Sequence, residues 1–296
     1  MIRRLTSLLA ALAAVLATIL FLPATTASAA GCAAAWSSSA VYTNGGSASY
    51  AGHNWTAKWW TQNEKPGTAE VWADAGSCTG GGTDPGTPVP GGFVVSEAQF
   101  NQMFPSRNSF YTYSGLTAAL SAYPAFTTTG SDTVKRQEAA AFLANVSHET
   151  GGLVHVVEQN TANYPHYCDT SQPYGCPAGQ AAYYGRGPIQ LSWNFNYKAA
   201  GDALGIDLLG NPNLVQTNAA VAWKTALWYW NTQSGPGTMT PHNAIVNGAG
   251  FGETIRSING SLECNGGNPA QVQSRISKYQ AFTSILGTTP GSNLSC

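Results

Sequence analysis

Residues 131–152 read SDTVKRQEAAAFLANVSHETGG, and this pattern predicts a long helix. Ser131 or Asp132 can cap its first turn, because both side chains accept hydrogen bonds from free backbone N–H groups. Gly151 and Gly152 mark its end, since glycine favours the backbone conformations that terminate a helix. The buried face is formed by apolar residues at helical spacing: Val134, Ala139, Phe142, Leu143 and Val146.

Glu149 lies in the last turn of this predicted helix. A carboxylate at that position faces the negative end of the helix dipole, which disfavours its charged form and suits a general acid. Glu158 follows nine residues later and precedes the polar residues 159–161, so we expect it to stay solvated and ionised. Two carboxyl groups in unlike surroundings are what glycoside hydrolysis requires, one to protonate the leaving oxygen and one to activate water.

Other readings of the same residues are possible. A single glutamate at a helix end is most often structural or simply exposed. His148 and Glu149 also match half of a zinc-protease motif, but Gly152 stands where the second histidine should be. His155 and His166 do not restore a ligand spacing, and the chain has no Gly-x-Ser-x-Gly motif. We therefore expect neither a metal nor a cofactor.

Helical signals continue through residues 93–296. Ser96 and Gln99 form a capping box, and Asn268 can cap a helix that begins at Pro269. The last helix has an apolar stripe that ends before Gly287: Val272, Ile276, Tyr279, Phe282 and Leu286. Another helix is indicated by spacing alone: Val215, Ala219, Ala222, Trp223, Ala226, Leu227 and Trp230. This region is predicted to be a mainly helical domain.

A linker precedes that domain. Residues 79–92 read TGGGTDPGTPVPGG, which offers almost no apolar side chain and breaks both regular periods. Residues 31–78 form a separate small module, in which short strands at 41–43, 47–50 and 70–72 predict an all-β fold.

The chain begins with a predicted secretory signal peptide. Residues 1–30 carry Arg3 and Arg4, an apolar run from Leu5 to Leu22 and a small-residue cleavage site, with cleavage after Ala29 or Ala30. Its removal leaves 11 basic against 14 acidic residues, a net charge of about −3, which disfavours nucleic acid and anionic membranes as partners. No second long apolar run exists, and only 9% of residues are charged. We expect a secreted, soluble monomer whose polar and aromatic surface suits neutral, hydroxyl-rich ligands.

The six cysteines are expected to form disulfides, because they are even in number and follow a signal peptide. If bridges stay within domains, Cys32 pairs with Cys78 and closes the small module. Three pairings remain open for the other four: Cys168, Cys176, Cys264 and Cys296.

The small module holds five of the nine tryptophans, more than so small an interior can house. Trp36 and Trp55 can belong to a miniature core. Trp59 and Trp60 are neighbours, and neighbours on a strand point to opposite faces, so we expect at least one exposed ring. Residues 57–62, AKWWTQ, with Pro66-Gly67 and Val71-Trp72, resemble the chitin-binding modules of families 5 and 12. The resemblance implies a chitin-binding surface without a catalytic role, and its candidate residues are Trp59, Trp60, Tyr50 and Trp72.

A second resemblance spans the large domain. Three motifs occur in order: SHETGG at residues 147–152, YGRGPIQLS at 184–192 followed by NFNY at 194–197, and ING at 258–260 followed by LEC at 262–264. They are similar to those of glycoside hydrolase family 19 chitinases. The resemblance implies a lysozyme-like helical fold and the bridges Cys168–Cys176 and Cys264–Cys296.

The resemblance also implies roles for individual residues. Glu149 matches the general acid, Glu158 the general base, and Ser192 a residue that holds the attacking water. Six further residues are assigned to the substrate-binding group: His148, Gln190, Asn196, Asn259, Glu263 and Arg275. Of these, Glu263 and Arg275 match a buried ion pair that supports the acid.

These observations together predict a secreted endochitinase that hydrolyses β-1,4 bonds between N-acetylglucosamine residues with inversion, with chitin and its oligosaccharides as partners. Two alternatives remain at this stage. One is a muramidase that acts on peptidoglycan, because lysozyme-like folds support that activity as well. The other is a non-catalytic chitin-binding lectin, against which the presence of both Glu149 and Glu158 argues.

Overall fold

The computed structural model describes residues 30–33, 36, 40–50, 53–79 and 93–296. Its contacts divide the chain into two compact units, Met1–Thr79 and Gly80–Cys296. The predicted signal peptide, apart from Ala30, and the predicted linker, apart from Thr79, lie outside the described residues. All three disulfides form as expected: Cys32–Cys78, Cys168–Cys176 and Cys264–Cys296.

The first unit is built from short strands. They are β1 (Ala30–Gly31), β2 (Val41–Tyr42), β3 (Ser47–Tyr50), β4 (His53–Ala57), β5 (Thr61–Gln62) and β6 (Trp72–Thr79). One sheet has the order β1-β6-β4-β3, and β2 pairs with β5 in a second sheet. Glu70 and Val71 lie in a turn, so the strand predicted at 70–72 begins only at its last residue.

The core of this unit is formed by Ala48, Ala57, Val71 and Trp72. Trp72 is only 4% exposed, and its indole N–H donates to the carbonyl oxygen of Glu64 at 2.8 Å. The expectation that Trp72 belongs to a binding surface is therefore wrong, because its ring fills the small interior. Tyr50 is half-buried, with its ring edge against Trp36.

Trp59 and Trp60 are both exposed, at 53% and 59%. They lie in the bend between β4 and β5 and not within a strand. The expectation of at least one exposed ring is confirmed. Both rings are exposed because the alternation of faces that would bury one of them requires a strand.

The second unit is mainly helical, as predicted. Its α-helices are α1 (Glu97–Met103), α2 (Tyr113–Ala119), α3 (Asp132–Glu149), α4 (Asn194–Leu204), α5 (Leu214–Thr217), α6 (Ala219–Thr232), α7 (Pro241–Val246), α8 (Phe251–Glu263) and α9 (Pro269–Ile285). Two 3-10 helices span Leu120–Ala122 and Thr161–Tyr167. Among the described residues, no helix is both long and apolar enough to cross a membrane.

Local signals explain where these helices begin. Ser131 caps α3 by accepting from the N–H of Val134, and Ser96 forms a complete capping box with Gln99. The helix predicted from Val215 onward is interrupted at Asn218, whose extended backbone separates α5 from α6. An asparagine side chain that caps a new helix competes with continuation of the old one.

The core of the second unit surrounds α3, from Ala139 to Val146. Large aromatic rings pack against it, among them Phe126, Trp223 and Trp230 at 5.0–6.1 Å from Phe142. Burial on all sides holds α3 rigidly, so that the residues in its last turn have fixed positions.

Candidate active site

A cleft of about 510 Å3 opens at the end of α3. Six of the residues predicted for the site line it: Glu149, Glu158, Gln190, Ser192, Asn196 and Asn259. They come from α3, from the loop that follows it, from the segment before α4, from α4 and from α8. The fold thus brings together residues that are far apart in sequence, and both predicted carboxyl groups face the same cleft.

The other three predicted residues do not line the cleft. Arg275 is 1% exposed and Glu263 is nearly as buried. His148 points its Nδ1 atom at the hydroxyl of Ser274, at 3.1 Å. Their grouping with the substrate-binding residues is therefore corrected, because they lie behind the cleft and can act only through the residues that line it. The expected buried ion pair of Glu263 and Arg275 is present, with 2.7 Å between the charged groups.

Arg275 organises this layer behind the cleft. Its Nη2 donates to Oε1 of Glu149 at 2.5 Å and to Oε1 of Glu263 at 2.7 Å. Its Nε donates to Oε2 of Glu263 at 2.8 Å, and its Nη1 donates to Oδ1 of Asn145 at 3.1 Å. The amide of Asn259 completes the group with a 2.8 Å bond to Glu263. A guanidinium held at this many points fixes Glu149 in place.

The charges of this layer shift the ionisation of its members. Burial raises the pKa of Glu263, but the hydrogen bonds and charge of Arg275 outweigh burial, and the pKa lies below its ordinary value. Burial, followed by the positive charge of Arg275, lowers the pKa of His148. At neutral pH the layer therefore contains a charged Arg275–Glu263 pair beside a neutral imidazole.

Glu149 is the last residue of α3, and its side chain is 19% exposed. The sequence indicated only the helix dipole, which disfavours the charged form. The structure adds a direct contact with the guanidinium of Arg275, which the helix pattern alone did not reveal.

Glu158 is half-buried, and its carboxylate is held by hydrogen bonds. Its Oε1 accepts from Nδ2 of Asn163 at 2.8 Å and from the hydroxyl of Tyr167 at 3.0 Å. Its Oε2 accepts a longer bond from the N–H of Gly185 at 3.4 Å. The expectation of a freely solvated glutamate is therefore corrected, since neutral donors replace part of its hydration.

The segment from Gln190 to Asn196 forms one wall of the cleft. Gln190 and Trp193 both adopt positive φ angles, +52° and +73°, and Ser192 lies between them. Non-glycine residues in this region carry strain, which concentrates at functional sites. Asn196, in the first turn of α4, donates to the backbone oxygen of Ser192 at 3.0 Å.

Arg186 supports this wall from behind. It is 1% exposed and lies over the ring of Tyr184 at 3.6 Å. Its guanidinium donates to Gln216 at 2.7 Å and to Asn213 at 3.0 Å. Arg186 therefore has a structural role.

Several cleft residues were not predicted from the sequence: His155, Tyr167, Trp193 and Tyr229. Trp193 directly follows Ser192, and this adjacency was the one available signal. Tyr229 lies on α6, and burial followed by the charge of Glu149 raises its pKa to about 12. Among the described residues, no group of three or more His, Cys, Asp or Glu side chains is arranged to hold a metal.

Comparison with known proteins places this architecture in a family. Residues 94–296 match the model of glycoside hydrolase family 19, described as "Chitinase class I". The crystal structure of chitinase C from Streptomyces griseus HUT6037 is 77% identical and covers 90% of this chain and all of that chain, with a TM-score of 0.69. A bacterial family 19 chitinase is 84% identical over 69% of this chain and all of its own, with a TM-score of 0.68.

A rice relative, Chitinase 6 of Oryza sativa subsp. japonica, is 46% identical over 188 residues. The aligned part is 63% of this chain and 66% of the rice protein, just under two thirds of that relative's length. Together, the family match over residues 94–296, the helical fold and the two carboxyl groups on one cleft show that the chain belongs to glycoside hydrolase family 19, the chitinase family whose members hydrolyse chitin.

Proposed function

We propose that this protein is a secreted endochitinase that hydrolyses β-1,4 bonds between N-acetylglucosamine residues by inversion. Glu149 acts as the general acid and Glu158 as the general base. The observation that carries the proposal is that both carboxyl groups line one cleft and are held in different ways, Glu149 by a guanidinium and Glu158 by neutral donors. Glycosidases of this kind use two carboxyl groups in unlike surroundings that face one cleft.

The reaction proceeds in one displacement. The oxygen of a water molecule bonds to the anomeric carbon while the bond from that carbon to the leaving oxygen breaks. Glu149 gives its proton to the leaving oxygen, and Glu158 takes a proton from the attacking water. Exchange with solvent then restores the starting protonation of both glutamates.

The remaining cleft residues bind and orient. Ser192 holds the attacking water, and its position is set by the strained backbone on both sides. Gln190, Asn196 and Asn259 present amide groups to the hydroxyl and acetamido groups of the sugars. Arg275 and Glu263 hold Glu149 from behind, and His148 is part of the same layer.

The small module binds chitin through Trp59 and Trp60. Both residues are consecutive in sequence and exposed, and aromatic faces stack on the C–H faces of pyranose rings. Residues 31–78 then form a separate binding module joined by the linker 79–92 to the catalytic domain 93–296. The Streptomyces chitinase aligns with 90% of this chain, which is more than the catalytic domain alone. This extent of alignment supports the proposed two-part organisation.

The module is tested by replacing Trp59 and Trp60 with alanine, singly and together. Because both rings are exposed, we expect folded proteins with weaker adsorption to insoluble chitin and unchanged hydrolysis of soluble chitin oligomers. Adsorption should change little with salt, since the ligand is neutral. Adsorption of the double variant at the parent level would exclude this pair as the binding surface, and Tyr50 would be the next candidate.

Secretion follows from the predicted signal peptide at residues 1–30 and agrees with three disulfides, which form in oxidising compartments. One assay separates the proposal from the muramidase and lectin alternatives. Release of soluble sugar is measured from chitin and from peptidoglycan, with the parent protein and with Glu149→Gln. We expect release from chitin by the parent alone. Release from peptidoglycan in preference to chitin, or no release from either, would overturn the proposal.

A further inference from the structure

The two carboxylate oxygens of Glu158 have unequal surroundings. Oε1 accepts two short hydrogen bonds, from Asn163 at 2.8 Å and from Tyr167 at 3.0 Å. Within the described residues, Oε2 receives only the 3.4 Å bond from the N–H of Gly185. A carboxylate oxygen with two good donors has little remaining capacity to accept a proton, so the chemistry is left to the other oxygen.

Both donors come from one short element, the 3-10 helix Thr161–Tyr167. Residues three apart lie on the same side of such a helix, and accordingly Tyr164 and Tyr167 both face Glu158. Tyr164 donates to the backbone oxygen of Glu158 at 2.9 Å, while Tyr167 donates to its side chain. The helix thus fixes both the main chain and the carboxylate of one residue.

Neighbouring contacts hold this helix in place. The ring of Tyr164 stacks on Tyr184 at 3.6 Å, and the ring of Tyr167 packs edge-on against Trp193 at 5.6 Å. The helix is followed directly by Cys168, which is bonded to Cys176. Burial, followed by the hydrogen bond to Glu158, raises the pKa of Tyr167 to about 12. Tyr167 therefore keeps its proton and remains a donor at any pH at which the protein works.

We propose that Tyr167 is a positioning residue for hydrolysis: together with Asn163 it saturates Oε1 of Glu158, and Oε2 takes the proton from the attacking water. This inference rests on the proposed role of Glu158 as the general base. Tyr167 also lines the cleft and contacts Trp193. Tyr167 therefore contacts both the carboxylate of Glu158 and Trp193, the residue that follows Ser192.

The first test is Tyr167→Phe, which removes the hydroxyl and keeps the ring against Trp193. We expect kcat on a soluble chitin oligomer to fall about tenfold with KM changed less than twofold, because a hydrogen bond to a charged group is lost. Loss of a donor to this carboxylate should also move the acid limb of the kcat/KM profile to higher pH. Asn163→Ala should likewise lower kcat and move the acid limb to higher pH.

Tyr164→Phe is the matched control. It also removes a tyrosine hydroxyl that bonds Glu158, but the bond it removes is to the backbone oxygen. The acid limb should stay where it is in this variant. A limb that moves equally in Tyr164→Phe and Tyr167→Phe would show that loosening of the loop, and not loss of a donor to the carboxylate, causes the effect.

A double-mutant cycle separates this inference from the proposed role of Glu158. In a Glu158→Gln background, Tyr167→Phe should change the residual rate less than twofold, because the hydroxyl acts through the missing carboxylate. If Glu158→Gln keeps near-normal rates, the base assignment itself is wrong. If Glu158→Gln is inactive while Tyr167→Phe and Asn163→Ala both keep the parent kcat and pH profile, the base stands and the positioning role is wrong.

Near-ultraviolet circular dichroism of each variant checks the fold. Should Tyr167→Phe unfold, Asn163→Ala carries the same prediction through the other donor to Oε1. A parent-like pH profile in folded Asn163→Ala would then count against the inference.

Discussion

The cleft has two walls that are built in different ways. The helical wall carries Glu149 at the end of α3 and Asn259 on α8, while the loop wall carries Glu158, Ser192 and Trp193. Behind the helical wall lies a buried charged network whose members come from three helices, α3, α8 and α9. Behind the loop wall, the donors to Glu158 are neutral, and the two side-chain donors, Asn163 and Tyr167, lie within nine residues of it.

This difference predicts different consequences of substitution. A buried charge network is costly to break, because the partner that remains is left unpaired in the interior. Neutral hydrogen bonds at a half-buried loop cost far less when they are removed. We therefore expect changes behind the helical wall to affect folding first, and changes behind the loop wall to affect catalysis first.

The largest effects are expected when the carboxyl groups themselves are changed. Glu149→Gln and Glu158→Gln should each lower kcat on a chitin oligomer by roughly 10²–10⁴-fold, the usual contribution of a general acid or base. Substrate binding should remain, because glutamine keeps the shape of the side chain. Isothermal titration calorimetry with the oligomer measures whether the variants still bind substrate. Loss of folding in Glu149→Gln would assign that residue a structural role instead.

Arg275→Met tests the charged network behind the helical wall. It leaves Glu263 buried without its partner and should lower the free energy of unfolding by about 3–5 kcal/mol, as measured by urea denaturation. Asn163→Ala is the corresponding change behind the loop wall, and its cost should stay near 1 kcal/mol. An equal loss of unfolding free energy in Arg275→Met and Asn163→Ala would contradict the distinction between the two walls.

The two disulfides of the catalytic domain offer a matched comparison. Cys264–Cys296 closes a chain segment with a sequence separation of 32, and Cys168–Cys176 one of 8. Loop entropy predicts stability losses of about 3.7 and 2.6 kcal/mol, respectively, when each pair is changed to serine. The second pair adjoins the helix that holds Glu158, so its loss should lower kcat although it costs less stability. A fall in kcat for the first pair alone would contradict this assignment.

A smaller effect is expected from pH. The pKa of Glu263 is below its ordinary value of 4.5 in the folded protein. Its ionised form therefore contributes stability that is complete above 4.5 and is lost as the pH falls through the lowered value. Glu263→Gln lacks this contribution. Urea denaturation between pH 6 and pH 3 should show a shallower loss of stability for this variant, and parallel curves would show that the pair does not stabilise the fold.

Local sequence signals predicted much of the fold. Caps such as Ser96 with Gln99, and Asn268 before Pro269, act within a few residues, and both mark helices that the structure contains. At Trp59 and Trp60 the sequence predicted at least one exposed ring but did not indicate that both are exposed, because a bend between two short strands leaves no periodic signal. Likewise, the interruption at Asn218 depends on a side chain that can either continue a helix or cap the next one.

The site was predicted only in part, for a similar reason. The motifs indicated which residues line the cleft and pointed to a buried pair of Glu263 and Arg275, but they did not separate this pair from the substrate-binding group. The donors to Glu158 were missed altogether, since the 3-10 helix that carries Tyr167 contains Pro165 and has no apolar stripe. Contacts between such an irregular segment and a carboxylate are visible only in three dimensions.

The central claim is that Glu149 and Glu158 act on opposite sides of one bond in a single displacement. Proton NMR of the products, recorded within minutes of adding the protein to a soluble chitin oligomer, tests this claim most directly. Inversion predicts that the new reducing end appears first as the α anomer and converts to the β anomer only through mutarotation. A new reducing end that appears first as the β anomer would require a retained configuration and would contradict the account.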